Sequence, residues 1–330
     1  MNSRSRMSRR TLAASAVLAV PAIHATSAFA QSTPQASPDS GTRVVTDVYG
    51  EVEVPANPQR VVVLDGPQLD ACLAVGVTPV GAVTGFAGAD FPAYLGDLTE
   101  GIQNVGTISE PNLEQIITLE PDLILGSNLR NEDIHDTLME IAPTVFSEAV
   151  SDDWRGNFKI FTDALNKSAE ADEVAAAYDA RLEEFKSATD GERGDWVISV
   201  VRFLADHVRL YNDTSFVGTV LEGAGLTRPE SQTGADPERG IFKIISQEQI
   251  HLADGTHIFT CAYGAIEDSV ASDFVESPLW STLEAVQNDK VYWVDDDFWM
   301  VAIGYLAADK VIDDLFTYLV DGEPGVDIPL

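Results

Sequence analysis

Arg60-Val61-Val62-Val63-Leu64, then Pro67 to Val75 closed by Gly76, then Pro79-Val80-Gly81-Ala82-Val83, is the stretch on which the fold turns. The first run is continuously apolar, as a strand buried on both faces must be. The middle segment stops at a glycine, the residue that most often follows a helix terminus. The third is a second apolar run. Strand, helix and strand in this order predict a parallel α/β unit with both faces covered.

The same grammar extends in both directions. Upstream, Val44 to Val54 holds two β-rich runs around Tyr49-Gly50, a hairpin pattern. Downstream, Pro111 to Leu119 opens a helix with proline in its first turn, and Leu123 to Leu125 follows as a strand. A helix over Glu132 to Ile141 and a strand over Thr144 to Phe146 complete a first unit. A second series then reads strand Trp196 to Phe203, helix Ser215 to Glu222, helix Ser246 to Leu252, strand His257 to Thr260 and strand Val291 to Val294. A last helix runs from about Val301 to Leu319.

The two series echo each other. Glu114-Gln115-Ile116 precedes the strand at Leu123, as Glu248-Gln249-Ile250 precedes the strand at Ile258; Leu73 to Gly76 precedes Pro79, as Leu221 to Gly225 precedes Pro229. Between them, Trp154, Phe158, Phe161 and Leu165, then Val174, Tyr178, Leu182 and Phe185, keep helical spacing. A helix from Ala169 to Ala188 would span roughly 30 Å at 1.5 Å per residue. The expected fold is therefore α/β: two Rossmann-like lobes joined by one long backbone helix. The expected boundaries are a signal peptide over 1–30, a flexible leader over 31–42, a first lobe over 43–153, a connecting segment over 154–188 and a second lobe over 189–330.

Residues 1–30 carry Arg4, Arg6, Arg9 and Arg10 and no acid, followed by an apolar stretch from Thr11 to Ile23 and small residues at Ala28 and Ala30. That is a secretory signal, too short to span a bilayer. Ser8-Arg9-Arg10-Thr11-Leu12 resembles a twin-arginine signal, the route for proteins exported already folded. No cysteine lies near the expected cleavage site, so a lipid anchor there is not expected. Cys72 and Cys261 fall in apolar runs of opposite halves and read as buried thiols rather than a disulfide. The chain holds 53 Asp and Glu against 20 Lys and Arg, a formal charge of −33. Phosphate backbones repel such a protein, so nucleic acid is excluded as a partner.

At this point the residues resemble a known family. Val54 to Val63, Leu69-Asp70 with Gly76 to Gly81, Pro111-Asn112-Leu113-Glu114 with Pro121-Asp122-Leu123-Ile124, and Pro278-Leu279-Trp280 with Val291-Tyr292 and Asp295 are similar, in order, to the iron-siderophore and cobalamin substrate-binding proteins of ABC importers. The resemblance covers about Val44 to Leu319. It implies a ligand cleft between the two lobes and an exported protein that captures a ferric siderophore and delivers it to an importer permease; the protein is expected to be a monomer. Iron would travel inside its chelator, so no cofactor and no protein metal site are implied. It also implies that Glu114 and Glu248, matching positions of the two lobes, dock onto basic pockets of the permease.

Candidate ligand contacts are Arg130, Arg202, Arg239 and Trp299. Arg130 follows the strand at Leu123, Arg239 lies in a glycine-punctuated loop, and Arg202 ends a wholly apolar strand, where it needs an anionic partner or a wet cleft. Arg202 is expected to be the main anion contact. Trp299 matches an aromatic that lines the family's pocket; Phe91 and Tyr211 are weaker candidates. Asp295-Asp296-Asp297 reads as a solvated loop. The hydroxamate-binding pattern has an arginine two residues before Glu110-Pro111-Asn112-Leu113-Glu114, where this chain has Ile108, a departure from that pattern; catecholate, carboxylate and hydroxamate chemistries all stay open. His135, His207, His251 and His257 form no cluster for bare zinc or manganese. No nucleophile–base pair, phosphate loop or Cys-x-x-Cys supports an enzyme. The alternatives are cobalamin or haem in the same fold, a secreted α/β hydrolase lacking its nucleophile motif, and an orphan sensor lobe that would not need both glutamates.

Overall fold

The computed structural model describes residues 41–85, 90–149, 153–325 and 328. The signal peptide, most of the leader and the arginine pair at 9 and 10 lie outside the described residues.

The chain enters as a hairpin, β1 (Thr42–Asp47) and β2 (Gly50–Pro55), so Gly41 and Thr42, assigned above to the leader, belong to structured chain. Asp47 shapes the turn by accepting from the backbone N–H of Tyr49 and Gly50, and its second carboxylate oxygen accepts from Phe146 N at 3.0 Å. The hairpin is thereby tied to the first sheet. That sheet is fully parallel, in the order β5-β4-β3-β6-β7, from β3 (Val61–Val63), β4 (Gly81–Thr84), β5 (Gln103–Thr107), β6 (Leu123–Ser127) and β7 (Thr144–Ser147). Helices α1 (Gly66–Ala74), α2 (Leu113–Thr118), α3 (Asn128–Asn131) and α4 (His135–Ile141) link the strands.

The second sheet has the order β10-β9-β8-β11-β12, from β8 (Ile198–Phe203), β9 (Val208–Tyr211), β10 (Phe242–Ile245), β11 (His257–Ala262) and β12 (Val291–Trp293). Here the expectation of a parallel sheet needs correcting. β8, β11 and β12 are parallel, but β9 returns antiparallel to β8 through a tight hairpin, and β10 runs antiparallel to β9. Helices α7 (Phe216–Gly223), α8 (Ala271–Val275) and α9 (Glu284–Gln287) complete this lobe. The echo between halves is visible at the helix ends. Gly76 and Gly225 both adopt φ +74°, and each is followed by the same backbone closure, Val77 N to Cys72 O at 2.9 Å and Leu226 N to Leu221 O at 3.0 Å. Both are glycine-terminated helix ends of the kind that requires a left-handed residue.

Between the sheets lies a layer of helices. α5 (Trp154–Ala164) leads into the 21-residue α6 (Ser168–Ala188), and the C-terminal α10 (Tyr305–Leu315) packs on α1, α6 and α7. One apolar core runs through this layer into both lobes, from Val61 and Leu123 to Ile198 and Phe259. The chain passes from the first sheet to the second through α5 and the long helix α6, and α5 and α10 pack against that helix. Trp154 Nε1 donates to Thr219 at 2.9 Å, its ring meets Tyr178, Phe216 and Tyr305 edge-on, and α5, α6, α7 and α10 converge there.

The C-terminal helix returns to the first lobe because of Asp70. This buried carboxylate of α1 accepts from Leu306 N at 3.1 Å and Ala307 N at 3.0 Å, satisfying first-turn donors of α10 that nothing else would. Burial pushes its carboxyl up to about 6, although the Leu306, Ala307 and Tyr305 amides pull the other way. The approach is close. A Cβ on Gly304 would sit 2.2 Å from Asp70 Oδ1, so residue 304 has room only for hydrogen. Gly304→Ala should cost about 1–3 kcal/mol by overpacking and lower the thermal midpoint by roughly 2–10 °C. In an Asp70→Ala background the same change should cost less, since the two nearest atoms are gone. Thermal melts of the four proteins check this; strictly additive losses would show that the two residues do not meet.

Candidate functional site

In open α/β sheets, ligands bind beyond the carboxyl ends of the strands, at the point where the strand order reverses. In the first lobe that point lies between β3 and β6. Asp65 leaves β3, caps α1 by accepting from Gly66 N at 2.7 Å, and receives Arg130 Nε, from just after β6, at 3.4 Å. Burial pushes the Asp65 carboxyl up, and Arg130 offsets part of that shift.

In the second lobe the corresponding ends bring Arg202 (β8), Tyr263 (just after β11) and Asp295 to Asp297 (after β12) together. β9 adds a second arginine. Along Val208-Arg209-Leu210-Tyr211 the two aliphatic residues face the lobe's own core, so Arg209 and Tyr211 face the other way, into the cleft. Arg202 and Arg209 are direct cross-strand partners in the β8–β9 register. Like charges directly opposite each other are destabilising, so the pair must be compensated locally.

Each arginine is compensated differently. Arg202 makes a two-pronged ion pair with Asp296, Nε to Oδ1 at 2.6 Å and Nη2 to Oδ2 at 2.5 Å, and donates from Nη1 to the Tyr211 hydroxyl at 3.1 Å. Both side chains are deeply enclosed, 8% and 13% exposed. Burial opposes the charge on Arg202, but Tyr211 and Asp296 outweigh it and hold the guanidinium protonated. Arg209 lies over the Phe242 ring, 4.1 Å from its centroid, and donates from Nε to His207 Nε2 at 2.9 Å. Among the described residues its two terminal nitrogens make no hydrogen bond.

The space between the lobes has two connected chambers. The smaller, about 390 Å³, is lined by Asp65, Arg130, Arg202, Arg209, Tyr211 and Phe242 among others. The larger, about 800 Å³, is lined by Phe91, Tyr94, Tyr263 and Trp293 and by Asp90 and Asp295 to Asp297. Ile108, Tyr263 and Val301 line both, so the two are parts of one cleft. Ile108, at the place of the hydroxamate-type arginine, gives that wall an apolar surface. Burial, then Asp295 and Asp296, pushes the Asp297 carboxyl up. No group of three His, Cys, Asp or Glu side chains suited to a metal ion occurs among the described residues.

The structure therefore brings Arg130 and Arg202 to one chamber and leaves two other candidates outside. Arg239 is exposed on its loop, held by a backbone bond to Asp236. Trp299 is fully buried, stacked on Phe259 at 4.8 Å with Nε1 donating to Asp314 at 2.7 Å; it supports the floor of the second lobe instead of facing the cleft. Asp296, read as solvated, is the buried partner of Arg202. Arg209 was missed, although the alternation of Val208 and Leu210 marks it as cleft-facing. Phe91 and Tyr211 do line the cleft. Cys72 and Cys261 are free and buried, and burial pushes both thiols up.

Glu114 and Glu248 lie outside both chambers, exposed, at the same position of equivalent first turns. Asn112 caps the first by accepting from Gln115 N at 3.0 Å; Ser246 caps the second in a reciprocal box with Gln249. The Ser246 side chain holds the Glu248 carboxyl below its ordinary value.

With this geometry in place, comparison with known proteins is informative. Residues 61–298 match the model of the periplasmic binding protein family. The chain is 38% identical over 289 residues to the probable siderophore-binding lipoprotein YfiY of Bacillus subtilis, covering 85% of this chain and 89% of that one. It is 32% identical over 267 residues to the Fe(3+)-citrate-binding protein YfmC of the same organism, covering 80% and 81%. The crystal structure of Staphylococcus aureus SirA complexed with staphyloferrin B superposes with a TM-score of 0.75 at 32% identity, over 84% of this chain and 98% of that one. Two α/β lobes about a cleft, matched along nearly the whole described chain, make this protein a member of the periplasmic binding protein family of ABC-transporter substrate-binding proteins.

Proposed function

We propose that this protein captures a ferric siderophore bearing carboxylate or other anionic groups and hands it to an ABC importer permease outside the cytoplasm. The observation that carries this reading is the directly opposed Arg202–Arg209 pair, facing Arg130 across one chamber. Asp296 already compensates Arg202, and an anionic ligand compensates the neighbouring Arg209. The identity to a probable siderophore-binding lipoprotein and to a protein crystallised with staphyloferrin B supports the same ligand class. Iron enters within its chelator and the protein converts nothing. The protein acts as a monomer, exported by residues 1–30 along the twin-arginine route.

The expected main contact changes with the structure. Arg202 already holds a carboxylate of its own chain, so Arg209, with terminal nitrogens open to the chamber, is assigned the leading role and Arg130 and Arg202 the support. A charge-assisted hydrogen bond contributes about 1.5–3 kcal/mol, so Arg209→Ala should weaken ferric citrate binding about ten- to a hundredfold. Binding of a neutral ferric trihydroxamate should fall less. Titration of tryptophan fluorescence at low and moderate salt measures both. Unchanged affinity for the anionic chelate would remove the arginine chamber from the binding site.

Glu114 and Glu248 are assigned to the permease. Exchanging both for arginine turns attraction to basic pockets into repulsion, and neither residue touches the cleft. Ferric citrate affinity should stay within about twofold, as expected for distant surface changes, while whole-cell iron uptake should collapse. A parallel loss of affinity would place the glutamates in the fold or the site instead.

A further inference from the structure

Arg209 is held by more than its strand. Its Nε–H points at His207 Nε2, 2.9 Å away, and the other ring nitrogen of His207 lies 2.5 Å from Asp206 Oδ1. An arginine Nε–H is a donor and never an acceptor, so His207 Nε2 must carry the lone pair. The ring proton then sits on Nδ1, where Asp206 accepts it. A carboxylate, an imidazole and a guanidinium thus form a chain of one polarity, ending on the arginine that faces the cleft.

We propose that His207 is a positioning residue for ligand capture: through its Nδ1–H tautomer, set by Asp206, it fixes the Arg209 guanidinium over Phe242 with both terminal nitrogens turned to the anion. The proposal rests on the reading of the cleft as an anion site, and it adds the residue that aims the contact. The need for such a device follows from the strand pairing. Directly across β8 stands Arg202, whose charge pushes the Arg209 head group away. The Phe242 ring gives the cation an electron-rich face 4.1 Å away but leaves rotation over that face free. A hydrogen bond to Nε removes that rotation, because it fixes the one donor lying on the stem side of the fork. His207 and Arg209 can meet because they are two apart, on the same face of the chain, with Val208 turned to the core between them. The bond leaves all four terminal N–H groups of Arg209 for a ligand, which a salt bridge to a carboxylate of the protein would not. In this respect Arg209 differs from Arg202, whose fork is closed by Asp296.

Two measurements on the full chain test this. In ligand-free, 15N-labelled protein, the Arg209 Nε–H resonance, identified by its loss in Arg209→Ala, should be protected from exchange, and His207 should show the Nδ1–H tautomer. His207→Ala should abolish that protection, and His207→Gln, whose side-chain oxygen can accept from Nε, should keep it. In titrations with ferric citrate, His207→Ala should weaken binding about three- to tenfold, the worth of one hydrogen bond, with His207→Gln close to wild type and thermal midpoints unchanged. An Nε2–H tautomer, or an Arg209 resonance indifferent to His207→Ala, overturns the positioning role whether or not ferric citrate binds. Wild-type protein that shows the predicted spectra but takes no ferric citrate would instead overturn the anionic-ligand reading and leave the His207–Arg209 link standing.

Discussion

The Asp70 carboxylate, bound to backbone amides 236 and 237 residues further along the chain, sets the geometry on which the cleft depends. A helix starts with donors that have no partner within it, and in a buried start each one left unpaired is costly. Asp70 supplies the acceptor from the opposite lobe, so α10 can begin in one place. The residues just before α10 inherit that placement. Val301, Ala302 and Ile303 floor the two chambers, and Val301 O lies 3.5 Å from where a Cβ of Gly66 would be. Gly66 opens the helix that carries Asp70, and the floor is held from both sides. Two lobes tied in this way by α1, α5, α6 and α10 resist the wide hinge motion that a connection through loops would allow.

The smaller chamber gathers three arginines, Arg130, Arg202 and Arg209, in a molecule that is otherwise strongly acidic. The chain carries a formal charge of −33, so an approaching anion is repelled over the Debye length, about 10 Å at 0.1 M salt. Capture of the anionic ligand proposed above would therefore come from contacts that act after arrival. Enclosed arginines suit that requirement, because burial shields them from salt and strengthens each hydrogen bond they make. The ion pair of Arg202 with Asp296 belongs to the same economy. Without Asp296, two guanidinium groups would face each other across β8 and β9 with no direct ion pair to either among the described residues.

The architecture was legible because it rests on local patterns. Val61-Val62-Val63 and Leu123-Ile124-Leu125 are apolar on both faces, and Gly76 and Gly225 mark helix ends that only a left-handed residue can close. What escaped reading was short or paired at long range. β5, Gln103–Thr107, exposes two of its five residues and lacks a hydrophobic run. β9 is four residues long, and its alternation was overlooked beside the stronger strand β8. Arg202 was placed correctly at a strand end, and its need for an anion was read correctly. Its partner could not be read, since Asp296 lies 94 residues away in a run of three acids that looks solvated. Trp299 shows the converse error. Position in a family pattern suggested a pocket wall, but a tryptophan that stacks on Phe259 and finds Asp314 for its N–H is satisfied inside the core.

The departure of the second lobe from the first explains why the arginines gather on one side. In the first lobe β3 is followed directly by a helix, so the strand end offers the ligand a helix start and little else. In the second lobe β8 turns back at once into β9, and a residue on β9 stands beside a residue of β8 on the same face. An antiparallel neighbour places two side chains about 5 Å apart, closer than two loops from separate crossovers would reliably bring them. The hairpin thus provides a fixed double-arginine surface, and the acid that tempers it comes from the loop after β12. The first lobe meets it with a single arginine, Arg130, set against its own buried acid, Asp65. Near-equal halves have in this way become unequal walls.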